Sequence, residues 1–362
     1  MSPTMPEQRP LGFGRHEATA ATATTDGAPA DPAVMDDRVA AALLPERPAR
    51  GHKGTFGKVL VIAGSLDYAG AALLVCRAAG RAGAGLVTLA VPESLQPLFA
   101  AKVVDATTMA LPEDDVEEVD PEPAIARILD HEHDAIVVGP GLRPGLATAE
   151  LVRMLLAARG EAQGEGASEV PPMVLDAEAL RSMATLGEWW TATGRTCVLT
   201  PHPGEFERLR SGSGIEPEVA DDLAGDDAAR RSAAIAAAGT WRQVVVLKGA
   251  RTVIAEPDGS VAVAPFENPA LATGGTGDVL AGIIGALLAQ GVAPGAAARL
   301  GVYLHGTAGD LVRERLGDAG LLASDLPDAV PLVRKRLAGV AERNRGGKRL
   351  GFAVRGSAGA GA

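Results

Sequence analysis

Aromatic residues are scarce in this chain, at 3% of 362 positions, so any core it forms must be aliphatic. Cysteine is nearly absent: Cys76 and Cys197 are the only two, and both sit in apolar runs. That argues against a disulfide framework and for buried free thiols in a reducing compartment. No uninterrupted apolar run is long enough to span a bilayer, and no basic region precedes an apolar stretch at the N-terminus. Neither a membrane span nor a leader is expected, and the cytoplasm is the default location. Positive charge is in deficit, with 34 Lys and Arg against 45 Asp and Glu and a formal net charge of −11. Such a field disfavours nucleic acid or an anionic membrane as the main partner. It leaves room for a small anionic substrate, because a few local donors outweigh a global field.

Hydrophobic residues are plentiful, at 47%, enough for a substantial core. Composition suggests three parts. Residues 1–50, rich in Ala, Thr, Pro and Asp, read as a solvated tail with one short helical stretch between Val34 and Leu44. Residues 51–340 read as one domain, and residues 341–362, basic and then Gly/Ala-rich, as a second tail. The acidic run Glu113–Glu122 and the polar stretches Glu161–Glu169 and Ser211–Asp227 read as surface loops.

Within the domain, short β-rich runs alternate with Ala/Leu-rich ones. Strands are expected at Lys58–Ala63, Leu86–Val91, Ala135–Val138, Met173–Leu175, Cys197–Leu199 and Val244–Leu247. Helices are expected at Ala69–Arg81, Ala147–Ala158, Ala228–Ala238 and Asp278–Ala289. Near-continuous apolar strands separated by helices imply a mainly parallel sheet covered on both faces, an α/β sandwich. Ligands of such sheets bind just beyond the C-terminal ends of strands, and five unusual loops lie there.

Gly64-Ser65 ends the first strand, and Gly70-Ala71 opens a small-residue helix where backbone can approach a ligand closely. A P-loop is excluded: Gly51–Lys58 only resembles its spacing, Val59 replaces the Ser/Thr, and the glycines precede the strand. The second loop is the rigid turn Gly139-Pro140-Gly141. In the third, Thr200-Pro201-His202-Pro203-Gly204-Glu205, two prolines brace His202. In the fourth, Lys248-Gly249-Ala250-Arg251-Thr252, a buried strand delivers a cation suited to phosphate. The fifth, Thr273-Gly274-Gly275-Thr276-Gly277-Asp278, leads into an apolar helix. Free N–H groups of Gly274, Gly275, Thr276 and Gly277 and the helix dipole make an anion hole there. Asp278 at its lip is the expected base for a hydroxyl attacking phosphorus.

From about Lys53 to Leu332 the chain resembles the carbohydrate-kinase-like family of NAD(P)H-hydrate dehydratases. The resemblance rests on an ordered set of motifs. These include Tyr68-Ala69-Gly70-Ala71-Ala72, Val138-Gly139-Pro140-Gly141-Leu142 and Val174-Leu175-Asp176-Ala177. They continue with Leu199 to Glu205, Leu247-Lys248-Gly249, Ala272 to Leu280 and Tyr303-Leu304-His305-Gly306. The resemblance implies a ribokinase-like fold and dehydration of (S)-NADHX or (S)-NADPHX to NADH or NADPH. ADP serves as co-substrate, giving AMP and phosphate through a transient phosphate ester, with Mg2+ as counterion. It places the hydrate at Ala71, Gly141, His202 and Asp278, and the AMP moiety at Lys248, Gly249, Ala250, Arg251, Thr252 and Gly277. No metal ligand is assigned. A homo-tetramer and a functional partnership with a separate NAD(P)HX epimerase are implied as well, since the segment before Gly51 is too short for the epimerase domain many relatives carry. Arg143 and Arg251 stand where relatives commonly have small residues, which bears on nucleotide preference and the shape of the hydrate pocket. A small-molecule kinase of the ribokinase superfamily and a non-catalytic nucleotide sensor are the alternative readings.

Overall fold

Val59, Leu60, Val61 and Ile62 are all buried, so the strand they form is covered on both faces. The same holds for Ala135–Val138 and for Val244–Leu247. The structure, a computed structural model, describes residues 33–158, 171–211, 213–215 and 222–354. Its first elements are β1 (Ala33–Val34), α1 (Asp37–Ala42), β2 (Lys58–Ile62), α2 (Ala69–Arg81), β3 (Leu86–Pro92), α3 (Gln96–Ala100) and β4 (Thr107–Leu111). Next come β5 (Glu113–Asp115), β6 (Glu118–Val119), α4 (Pro121–Asp130), β7 (Ala135–Val138), α5 (Leu146–Ala157), β8 (Met173–Leu175), α6 (Glu178–Met183), α7 (Trp189–Ala192) and β9 (Cys197–Leu199). The rest are α8 (Pro203–Arg210), α9 (Asp227–Trp241), β10 (Val244–Leu247), β11 (Val253–Ala255), β12 (Val261–Val263), α10 (Thr276–Ala289), α11 (Pro294–Leu316) and α12 (Leu326–Val354).

Ten strands form one sheet in the order β1-β12-β11-β10-β9-β8-β7-β2-β3-β4. From β10 to β4 every pairing is parallel, while β11 is antiparallel to both of its neighbours. Two apolar clusters cover the sheet, one holding residues of α2, α10, α11 and α12, the other residues of α4, α5, α6, α8 and α9. The sequence expectation of a parallel sheet between two helical layers is met.

Strand order reverses between β2 and β7, the position where such sheets open a crevice at their C-terminal edge. The loops there are tied together: Gly64 N–H donates to Pro140 O at 2.9 Å and Gly139 N–H to Ile62 O at 3.2 Å. α10 aims at this edge and is buried throughout Val279–Ala289, so it must be apolar all round. It comes this close because Gly285 carries no side chain: a Cβ there would stand 2.2 Å from Val137 Cγ2.

Three boundaries differ from the sequence reading. Residues 33–50 belong to the folded body and not to a tail. β1 pairs parallel with β12, Met35 is 1% exposed, and the Tyr303 hydroxyl donates to Asp37 Oδ1 at 2.8 Å. A two-residue strand is too short to show periodicity, and its partner lies far along the chain. The acidic run from Glu113 folds as the β5–β6 hairpin and then opens α4, Glu113 being held by the Ser94 hydroxyl and the Glu117 amide. α12 continues to Val354, through the first part of the segment expected to be a tail. Glu161–Glu169 lies outside the described residues.

A solvated tail and a docked segment respond differently to truncation of Met35. Met35→Ala should destabilise the protein by about 2–5 kcal/mol, the range for emptying a sealed apolar site. Denaturant unfolding checks this; an unchanged midpoint would return residues 33–50 to the tail.

Candidate active site

The five loops converge on the C-terminal edge of the sheet. Lys248 directly follows β10, and its N–H donates to Pro201 O at 2.8 Å, so the loops after β9 and β10 stay in step. Lys248 Nζ lies 2.9 Å from Asp176 Oδ1 and 3.8 Å from Glu205 Oε2. Asp176, 1% exposed, follows β8 directly. Burial opposes the ammonium charge, but Asp176, Glu205 and Asp278 together outweigh it, and the Lys248 pKa is raised.

Opposite the lysine stands the start of α10. Gly275 caps the helix with φ 91°, a left-handed conformation that strains any residue with a Cβ. A Cβ on Gly277 would come within 3.3 Å of Lys248 Nζ, so the cation sits against bare backbone. Among the described residues, nothing accepts from the N–H groups of Gly277 and Asp278. These donors, the helix dipole and Lys248 form an anion site. Gly274 is exposed with open space around its Cα, whereas the Thr276 hydroxyl turns inward to Leu271 O and Thr273 O. Thr276 therefore shapes the turn with its side chain.

Asp278 reaches into this site without a side-chain hydrogen bond among the described residues. Its pKa is pushed up to about 7, by burial first and by the Asp176 charge second, against the pull of Lys248. A carboxylate poised there is suited to take a proton at neutral pH.

Beside the anion site opens a cleft of about 460 Å³, lined by Lys248, Gly249, Ala250, Thr252, Thr276 and Gly277 and walled by Phe266, Leu271, Leu280 and Val302. Arg251 is not part of the lining. It has φ 56°, and its Nε lies 3.3 Å from Asp227 Oδ2 on α9. Beneath the loop lies Arg230, 0% exposed, donating to the carbonyls of Leu223, Ala224 and Ala250 and paired with Asp227. Gly249 leaves it room, since a Cβ there would be 2.9 Å from Arg230 Nη1. His305 of α11 also lines the cleft, its Nε2 2.9 Å from Thr276 O. Burial drives its pKa down to about 4, with the Thr276 carbonyl acting in the other direction and Lys248 adding to the fall.

On the far side of the anion site, Gly141 (φ 67°) packs on the start of α2. A Cβ on it would lie 2.8 Å from Ala71 Cβ and 2.6 Å from Tyr68 O. One turn further along α2, Leu74 reaches the position where Gly275 would carry a Cβ, at 2.8 Å. Ala71 and Gly141 are thus neighbours, joined through α2 to the turn that bears Asp278. His202 caps α8. Its Nδ1 accepts from Gly204 N–H at 3.0 Å and from Glu205 N–H at 3.4 Å, and the Glu205 carboxylate accepts from His202 N–H at 2.9 Å. This reciprocal cap, together with the prolines, fixes the ring.

Sequence reasoning gave no role to Asp176, Arg230 or His305. Asp176 had the same signal as Lys248, a charged residue directly after a buried strand. Arg230 and His305 sit inside helices, where only the fold discloses what they face. Among the described residues, no three His, Cys, Asp or Glu side chains gather closely enough to hold a metal by themselves, and no helix is long and apolar enough to cross a membrane.

Residues 59–332 match the family model described as NAD(P)H-hydrate dehydratase. The chain is 42% identical over 297 residues to a bifunctional NAD(P)H-hydrate repair enzyme of Moorella thermoacetica, covering 81% of this chain and 52% of the relative. It thus spans about half the length of the bifunctional relatives it matches. It is 36% identical to an ADP-dependent (S)-NAD(P)H-hydrate dehydratase of Xanthomonas campestris, covering 79% of this chain and 91% of that one. Among solved structures it is similar to the ADP/ATP-dependent NAD(P)H-hydrate dehydratase of Bacillus subtilis co-crystallised with ATP and Mg2+. The TM-score is 0.67 and the identity 33%, over 85% of this chain and 99% of that one. The sandwich is accordingly ribokinase-like, and the chain belongs to the NAD(P)H-hydrate dehydratase family.

Proposed function

We propose that this protein restores NADH and NADPH from their (S)-hydrates, with ADP as phosphoryl donor and AMP and inorganic phosphate as products. The observation that carries the reading is the pairing of Asp278, an acid raised to about 7, with an anion site made of Lys248 and open helix N–H groups. The hydrate lies against Ala71, Gly141 and His202 with its ring hydroxyl toward Asp278. The AMP moiety of ADP occupies the cleft beside Lys248 to Thr252 and Gly277. Asp278 takes the hydroxyl proton as the oxygen bonds to the terminal phosphorus and the bridging P–O bond to AMP breaks. Lys248 and the N–H of Gly277 meet the charge that gathers on the phosphoryl oxygens. Phosphate then leaves the ring carbon, and loss of the neighbouring proton restores the double bond.

The donor set suits magnesium carried by the nucleotide: Asp176 and Glu205 supply hard oxygens near Lys248, and this ion is commonly held by one or two carboxylates plus phosphate. When bound it neutralises phosphoryl charge. Support for an epimerase as functional partner comes from the bifunctional names of relatives. The homo-tetramer stays with the family resemblance alone. A kinase that releases its phosphorylated product is the competing reading.

Mixing protein, ADP, magnesium and NADHX should give NADH, AMP and phosphate in equal amounts. Accumulation of a stable phosphorylated organic product would favour the kinase.

Asp278→Asn should lower turnover by about 10²–10⁴-fold while ADP binding persists. The same variant tests the cause of the raised pKa. A carboxyl titrating higher in the folded than in the unfolded chain favours folding below pH 4 and loses that contribution as pH rises through about 7. Asp278→Asn should therefore melt higher than the parent at pH 8, with the difference vanishing near pH 4. A lower melting point at pH 8 would refute the assignment.

In the free enzyme, kcat/KM for ADP should fall as pH drops below about 7. Lys248→Met removes the cation that holds the Asp278 pKa down, so its acid limb should lie at higher pH. A limb that stays in place would uncouple the two groups.

A further inference from the structure

The polar side chains of the cleft are mostly engaged within the protein. The Thr252 hydroxyl donates to Gly249 O, Thr276 to Leu271 O and Thr273 O, and Asn268 caps Ala270 and binds Asp310. Lys248 belongs to the anion site, and Glu267 is exposed to water at the rim. His305 is the exception. The Thr276 carbonyl can only accept, so the His305 Nε2 at 2.9 Å must carry the hydrogen. Nδ1 is then a bare lone pair with no donor to it among the described residues, and it is not sealed from the cleft. The low pKa keeps this ring neutral at pH 7 and the lone pair available.

The surroundings say what donor it awaits. His305 lines the cleft together with Val302, Gly306 and Leu280. The Phe266 ring rests flat against Gly306, where a Cβ would be 2.2 Å from Phe266 Cδ2. An apolar, partly aromatic slot with one fixed acceptor suits a flat heterocycle bearing an amino group.

We infer that His305 selects adenine: its Nδ1 accepts from the 6-amino group of the nucleotide base. This rests on the reading of the cleft as the nucleotide site. Hypoxanthine presents a 6-oxo group in the same place, so two acceptors would face each other. The ring cannot answer by exchanging tautomers without turning a bare Nε2 toward the Thr276 carbonyl.

The test compares ADP with IDP. The parent protein should prefer ADP by about ten- to a hundred-fold in kcat/KM, the scale of one lost or opposed hydrogen bond. His305→Leu should bring the ratio to within about threefold of unity, and His305→Gln, which keeps an amide donor and an oxygen acceptor, should retain part of it. Calorimetric titration with each nucleotide reads the same ratio without turnover. Selective ADP binding with no NADHX dehydration would sink the proposed reaction and leave this inference standing. ADP-driven dehydration with equal use of IDP, or a ratio unchanged in His305→Leu, would overturn the inference alone. So would a His305→Leu effect seen only against 2′-deoxy-ADP, which would place the acceptor at the ribose.

Discussion

The site is organised by one ammonium group facing the start of one helix. A buried parallel strand brings Lys248 to its end, where desolvation disfavours the charge and the positive end of α10 repels it. Both are offset by carboxylates on neighbouring strand ends, Asp176 after β8 and Glu205 after β9. The arrangement accounts for residues that look unrelated in the sequence. A side chain at Gly277 would crowd Nζ, and Asp278 is drawn down by the lysine less than burial and Asp176 push it up. A bound phosphate would meet what the protein leaves open, the unused N–H groups of Gly277 and Asp278 beside a cation whose own carboxylates are Asp176 and Glu205.

The same geometry sets function against stability. A half-buried carboxylate crowded by two others, which the proposed reaction requires to ionise, would not persist in a core chosen for stability alone. α10 can carry this load because it is wedged between α2 and the sheet over its whole length, glycine to side chain. The turn that bears Asp278 therefore stands on a tightly wedged part of the molecule.

Much of this was legible in the sequence. β7, β8, β9, β10 and α2 fall on the residues their patterns indicate, because each is a continuous apolar or Ala-rich run whose burial is local information. The glycine turn at the start of α10 was legible, but which of its N–H groups stay open was not. That of Thr276, expected in the anion hole, donates to Thr273 O at 3.3 Å, and those of Gly277 and Asp278 are the unused ones among the described residues. What the sequence concealed depends on distant partners. β1 needs β12, and the hairpin after β4 needs Ser94 and the Glu117 backbone. Within Lys248–Thr252, nothing in the order of residues separates Arg251, turned toward Asp227, from its neighbours that face the cleft. His305 is one polar position in a long buried helix, and only the contact with Thr276 assigns its lone hydrogen.

The short strand β1 has a bearing on how the chain behaves when handled. It is the edge strand of the sheet and covers β12, and Ala40 and Ala41 of α1 are buried. Trimming at residue 50, which composition alone would recommend, bares the N–H and C=O groups of Val261–Val263 together with apolar surface on α11 and α12. An uncovered strand of that kind is a template for pairing with another chain. The trimmed protein would keep every residue of the candidate site and still be prone to aggregate, a failure easily mistaken for poor folding of the domain.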